Sequence, residues 1–233
     1  MTPNDAPGPV AEVETCPLCK KIAPLCVCDS VKPLRNRVRL LILQHPQEQD
    51  KDLGTARLTA LHFPDAVFKV GLSWPSLSKA LGDQADPKRW AVLYLGSAKP
   101  ADFPEGAEVA VLDKAGKPVE FQNSALKEIE GVVALDGTWS QAKTLWWRNA
   151  WMLKCKRVAL RPKSASLYGK LRKEPRKEAL STLESVGLLL SRLERRADIE
   201  TELLKTFGHM LDRHKQYRRT LKAASRPAPA GAH

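Results

Sequence analysis

The sequence predicts an α/β fold, a mostly parallel sheet flanked by helices, preceded by a small cysteine-bearing segment. Three observations predict it. Short apolar runs alternate with stretches of helical periodicity along the chain. The runs Val38–Gln44 and Val132–Asp136 are nearly continuously apolar, as buried strands are. Both end in polar turns, the place where open α/β sheets bind ligands. The chain has 233 residues, 43% of them hydrophobic, which suits one generous domain with small appendages.

The elements follow in order. Val38–Gln44 reads as a buried strand followed by the turn His45-Pro46-Gln47-Glu48. Leu53 to Leu61 has helical spacing, with Leu58 and Leu61 on one side. Ala66 to Val70 fits a short strand, and a short helix starts at Trp74-Pro75-Ser76 and runs to Leu81, with Pro75 near its first turn. Trp90 to Leu95 reads as a strand ended by Gly96. Val109 to Asp113 reads as another, with Asp113 to Pro118 also suited to a turn. The strand at Val132 is followed by a helix from about Ser140 to Asn149, and Lys156 to Leu160 is a further strand. A basic loop spans 161–177. Glu178 to Glu194 is a helix with Leu183, Val186, Leu189, Leu190 and Leu193 at helical spacing, and Glu200 to Leu221 is a last helix with a basic end that its dipole favours. Residues 1–14 and the Pro/Ala-rich tail Arg226 to His233 read as disordered.

Charge is uneven. The net charge is +12; residues 154–177 carry +9 and residues 213–226 carry +6, leaving the rest at −3. A near-neutral body with two basic segments points to a polyanion partner, because phosphate contacts supply most non-specific nucleic-acid affinity. The plain alternative is a solvated face. The first segment contains Pro162, Gly169 and Pro175, which make it a loop rather than one exposed helical face. No apolar run approaches the ~20 residues that span a bilayer, and residues 1–14 lack the basic and apolar regions of a secretory signal. A cytoplasmic location and no membrane association are the expectation.

Four of the five cysteines form Cys16-x2-Cys19-x6-Cys26-x-Cys28. In a cytoplasmic chain this spacing favours a tetrahedral Zn²⁺ site over a disulfide frame. The gap of one residue in the second pair is tighter than the usual two. Four thiolates leave no coordination position for substrate, so the metal is expected to be structural. The alternative is four free thiols. Cys155, after Trp151 and Leu153, reads as a core residue.

Three polar motifs stand at element junctions. Asp136-Gly137-Thr138-Trp139 places a carboxylate, a turn glycine, a hydroxyl and an indole at a strand's carboxyl end. His45-Pro46-Gln47-Glu48 does the same with a histidine and a carboxylate, able to serve acid–base work or simply to hold a loop. Ser181-Thr182-Leu183-Glu184 suits a capping box, and equally the binding of an ammonium or hydroxyl group. Each alone has a plain structural reading as a cap or turn.

In this order, with Arg172-Lys173-Glu174-Pro175 before the last motif, the set resembles the DTW-domain family, named for its Asp-x-Thr-Trp signature. The resemblance covers roughly residues 15–215; Ser185 stands where alanine is expected, a small residue for a small one. It implies a SPOUT-like parallel sheet that can carry a trefoil knot near its C-terminal half. It also implies a tRNA-uridine aminocarboxypropyltransferase. Such an enzyme moves the 3-amino-3-carboxypropyl group of S-adenosylmethionine to N3 of a tRNA uridine (position 47 in bacterial members) and releases methylthioadenosine. The chain then divides into a disordered 1–14, a zinc-binding 15–32, a catalytic α/β domain 33–223 and a tail 224–233.

On that reading Asp136, Thr138 and Trp139 form the catalytic group. His45, Glu48, Leu135, Gly137, Ser181, Thr182 and Glu184 surround the cofactor, and Arg161, Lys163, Lys170, Arg172, Lys173 and Arg176 contact tRNA. Asp136 is the candidate base for the N3 proton, its rival role being to hold the cofactor's α-ammonium. Trp139 is expected to stack on a base or to pack in the core, and core packing is expected more strongly of Trp146, Trp147 and Trp151. Two alternatives stand beside this: an S-adenosylmethionine-dependent RNA methyltransferase, and a non-catalytic zinc-bearing RNA-binding module. No obligatory protein partner is expected.

Overall fold

The computed structural model describes residues 14–49, 51–93, 103–169, 171 and 180–225. Its strands are β1 (Arg39–Gln44), β2 (Val67–Val70), β3 (Trp90–Leu93), β4 (Val109–Leu112), β5 (Gly131–Asp136) and β6 (Lys156–Leu160). Its helices are α1 (Ala56–His62), α2 (Leu77–Leu81), α3 (Gln122–Lys127), α4 (Trp139–Arg148), α5 (Thr182–Glu194) and α6 (Ala197–Ala224). The sheet order is β2-β1-β5-β3-β6-β4. All pairs are parallel except β4–β6. The antiparallel partner β4 sits at the edge, where a strand needs no crossover helix.

The central strands are buried on both faces, which is why they read as unbroken apolar runs. Leu40, Ile42, Val132 and Ala134 point to one face and pack with α1, α5 and α6 and with Cys19, Val27 and Leu34 of the cysteine segment. Leu41, Leu43 and Val133 point to the other, with α2, Trp90, Trp151 and Met152. Helices therefore cover both faces. β5 begins on a glycine for a steric reason: a Cβ at Gly131 would lie 2.4 Å from the indole of Trp90, its partner in the neighbouring strand.

Several expected boundaries shift. The helix expected from Leu53 begins at Ala56. The helix placed at Trp74 begins at Leu77, because the Ser76 hydroxyl accepts from the Lys79 N–H and Pro75 precedes that cap. The helix expected from Glu178 begins at Thr182, with Ser181 as its cap. The last helix starts at Ala197 and reaches Ala224. α3 and the 3₁₀ turn Ala150–Lys154 carry no strong apolar period and escaped the sequence reading. The end of the third strand at Leu95, the two termini and the second half of the basic loop lie outside the described residues. No helix among the described residues is long and apolar enough to cross a membrane.

Candidate active site

Strand order decides where the site lies. β1 and β5 are adjacent and in register, so Gln44 sits directly opposite Asp136 at their shared carboxyl ends. From β1 the chain turns toward β2; from β5 it leaves across the other face through α4. Connections that diverge from neighbouring parallel strands open a crevice between them.

Asp136 is 8% exposed, and each of its carboxylate oxygens accepts from one neutral donor. The Thr182 hydroxyl donates to its Oδ1 at 2.6 Å, and Gln44 Nε2 donates to its Oδ2 at 2.9 Å. Using its amide N–H₂ on the carboxylate leaves Gln44 Oε1 buried without a partner. The orientation is forced, since a flipped amide would set oxygen against oxygen. The His45 N–H donates to the Asp136 carbonyl at 2.9 Å and locks the two strand ends together. The His45 ring takes the Gln47 N–H at 3.3 Å, capping the turn that presents Glu48. Gly137 is squeezed: a Cβ there would meet the Gln141 Cβ at 2.8 Å and that of His45 at 3.4 Å.

Beside this junction opens a cleft of about 1120 Å³, lined by Gln47, Glu48, Lys51, Asp52 and Leu53, by Thr138 and Gln141, and by His214, Lys215, Arg218 and Arg219 of α6. The volume is at the upper end of the range of small-molecule sites, about 300–1,000 Å³. Glu48 is 5% exposed, lines the cleft and forms no ion pair among the described residues. His214 Nδ1 is buried and unpartnered, and burial lowers the ring's proton affinity. Leu171, from the basic loop, also reaches the cleft.

The expected site residues divide into groups. Asp136, Thr182, His45, Gly137 and Thr138 are brought together at the strand ends, while Glu48 and Thr138 line the cleft and Asp136 stands behind that lining. Leu135 packs against the apolar cluster under α4. Ser181 and Glu184 form a reciprocal capping box. The Glu184 carboxylate also accepts from Ser166 Oγ at 2.7 Å and the Leu167 N–H at 2.8 Å. Both its oxygens are thus spent on fastening the basic loop's first half to α5. Tyr168 of that loop donates to the Leu53 carbonyl at 2.6 Å. Trp139 is half-buried at the start of α4. Arg161 lies over the Phe103 ring at 5.2 Å, and Lys163 pairs with Glu108 at 3.5 Å. Lys170, Arg172, Lys173 and Arg176 lie outside the described residues. The core placement expected of Trp147 is corrected: its side chain is 75% exposed, because the apolar stripe of α4 runs through Ala142 and Leu145 and leaves residue 147 on the opposite face. Cys155 is buried as expected, and burial pushes its thiol up to about 12.

Sequence reasoning missed Gln44 and Gln141; it assigned the basic 213–226 segment to a polyanion surface but did not bring it to the strand ends. A polar residue closing an apolar strand was the available signal for Gln44; nothing local tells that the last helix folds back over the site.

The four clustered cysteines converge, with all Sγ atoms within 4.8 Å of one another. A tetrahedral ion at about 2.3 Å from sulfur, the zinc–thiolate distance, requires sulfur–sulfur edges of about 3.8 Å. Cys16–Cys28 and Cys19–Cys26 each stand at 3.8 Å. The Cys19 N–H directed at Cys16 holds that thiol down to about 6, whereas burial pushes Cys19 and Cys28 up. The four sulfurs are placed so that they could hold one metal ion. The segment is pinned to both walls of the cleft. The buried Lys21 ammonium donates to the Lys51 and Asp52 carbonyls at 3.2 and 2.6 Å. Arg213 of α6 donates to the Cys26 carbonyl and pairs with Asp29 at 2.7 Å.

A crevice at the carboxyl ends of a doubly covered parallel sheet is the place where open α/β proteins bind their ligands. The chain belongs to the DTW domain family, whose model matches residues 13–215. It is 31% identical over 192 residues to a tRNA-uridine aminocarboxypropyltransferase 2 of Macaca fascicularis, covering 82% of this chain and 60% of the relative. It is 30% identical over 194 residues to the Mus musculus protein of that name, with the same coverage. The Drosophila melanogaster protein of that name is 25% identical over 201 residues, covering 82% of this chain and 70% of the relative. The chain therefore spans about 60% of the length of the mammalian relatives. No solved structure matches it.

Proposed function

We propose that this chain is a tRNA-uridine aminocarboxypropyltransferase that uses S-adenosylmethionine, with a structural Zn²⁺ on Cys16, Cys19, Cys26 and Cys28. The observation that carries the reading is the Gln44–Asp136–Thr182 cluster at the paired ends of β1 and β5, beside a cleft overhung by Lys215, Arg218 and Arg219. The family relatives bear that activity in their names.

The residues fit the cofactor's polar arm. Among the described residues Gln44 Oε1 lacks a partner and the buried Glu48 carboxylate has no ion pair, so acceptors for an ammonium group are in place. When bound, S-adenosylmethionine supplies the electrophilic carbon of the aminocarboxypropyl arm. Asp136 would accept the proton of uridine N3 so that this nitrogen can take up the aminocarboxypropyl group, with methylthioadenosine as the leaving group. Thr182 and Gln44 hold the carboxylate in one rotamer, so its remaining lone pairs face a fixed direction, which is the positioning such a transfer needs. The Lys and Arg side chains of α6 neutralise phosphates of the incoming RNA. The zinc segment, through Lys21 and Arg213, keeps the two walls at a fixed separation.

The test is incubation of the protein with labelled S-adenosylmethionine and unmodified tRNA, followed by nucleoside mass spectrometry. An aminocarboxypropyl adduct on uridine is expected. A methyl adduct would establish the methyltransferase reading instead, and tRNA binding without any adduct the non-catalytic one.

A further inference from the structure

We propose that the outer face of α4 is a second RNA contact, in which the Trp147 indole stacks on an unpaired base and Lys143 and Arg148 hold the phosphates on either side. Trp147 is 75% exposed. Its neighbours are not: Trp146 is covered by the Arg157 guanidinium at 5.5 Å, and the Trp151 indole N–H donates to the Trp74 carbonyl at 3.1 Å. Trp147 has no ring or cation partner among the described residues.

Its surroundings select the partner. Lys143, one helical turn before it, and Arg148, beside it, are exposed and form no ion pair among the described residues. The sequence contains no Asp or Glu between Asp136 and Glu174. Ser140 and Thr144 complete this polar face. A flat apolar ring between cations, on a helix that carries no acid, suits a polymer that alternates flat bases with phosphates. The face is reachable from the cleft: the first turn of α4 lines it through Thr138 and Gln141, and Trp147 lies six residues beyond Gln141, about 9 Å along the axis and about 120° around it, so a strand crossing the helix from the cleft meets this ring.

The inference rests on the reading that the substrate is RNA, and the experiment separates the two. Full-length wild-type protein, Trp147→Ala, Trp147→Phe and a Lys143→Glu/Arg148→Glu variant are titrated with an unmodified tRNA transcript. Sedimentation of each free protein is recorded alongside. Expected are about tenfold weaker binding for Trp147→Ala, near-wild-type binding for Trp147→Phe, which keeps a stacking ring, and unchanged turnover at saturating tRNA. The double charge reversal weakens binding and flattens its salt dependence. If wild type binds tRNA and Trp147→Ala binds it equally well, this inference alone falls. A changed oligomeric state with unchanged RNA affinity would mark the ring as a protein contact and overturn it too. If wild type binds no tRNA, the functional reading falls and takes this one with it.

Discussion

Replacing Asp136 by asparagine separates chemistry from architecture, because the structure contains the means to absorb the change. The carboxylate accepts one hydroxyl and one amide N–H₂, from Thr182 and Gln44. Asparagine turns one of those oxygens into a donor. If the donor faces Gln44, that amide can rotate and offer Oε1, the atom that now has no partner. The cost is two charge-assisted hydrogen bonds exchanged for neutral ones, about 1 kcal/mol each. Relief of a buried charge offsets part of it. A net loss of about 1 kcal/mol lowers Tm by roughly 2–4 °C in a domain of this size. Loss of a general base costs about 10²–10⁴ in rate, or ~3–6 kcal/mol of barrier. Asp136→Asn should thus melt within a few degrees of wild type and be nearly inactive. Asp136→Leu, which leaves both donors without an acceptor at about 1–3 kcal/mol each, should be far less stable. The assay pairs thermal melts with single-turnover transfer from labelled S-adenosylmethionine to tRNA. A fall in kcat at unchanged cofactor affinity identifies the base; a cofactor Kd raised in proportion identifies the ammonium ligand. Activity of Asp136→Asn within about threefold of wild type, well short of the ~100-fold minimum for a lost base, would refute both roles.

Three further predictions address the surroundings. Stripping the metal with a chelator, or Cys19→Ser, should release the metal ion, lower Tm and weaken tRNA binding, because Lys21 and Arg213 would lose the frame from which they hold the cleft walls; metal content and Tm that stay at wild-type values would rule out a structural metal. Arg218→Glu/Arg219→Glu should lower the slope of log Kd against log salt by about 1.5 if each arginine meets one phosphate, and an unchanged slope would take α6 off the RNA path. His62 is buried, its Nδ1–H donating to the Lys32 carbonyl at 2.9 Å and its Nε2 facing the Thr206 hydroxyl at 3.0 Å; burial depresses its proton affinity below the ordinary 6.5. The unfolded chain therefore binds a proton before the folded one does. Stability from the neutral ring is whole above pH 6.5 and is lost as pH falls below that value. His62→Gln should lose less Tm on acidification than wild type, and parallel curves would show that His62 does not contribute.

The cysteine spacing, the two apolar runs and the polar turns that end them are local patterns, so a single pass along the chain identifies the cysteine cluster, β1, β5 and the residues clustered at their tips. A buried parallel strand announces itself through its own composition, whatever its neighbours. Which strands are neighbours is a different matter. That Gln44 faces Asp136, and Thr182 reaches the same carboxylate from the far end of the chain, depends on the order β2-β1-β5-β3-β6-β4, which no local signal encodes. The same holds for α6: its basic end is plain in the sequence, but only its packing on α5 lays Arg218 and Arg219 over the cleft. Trp147 shows the converse. Composition favoured burying it, and the angular position of one helical residue relative to Ala142 and Leu145 put it in solvent. Short-range physics writes elements and caps into the chain; long-range packing alone decides which of their polar ends share a site.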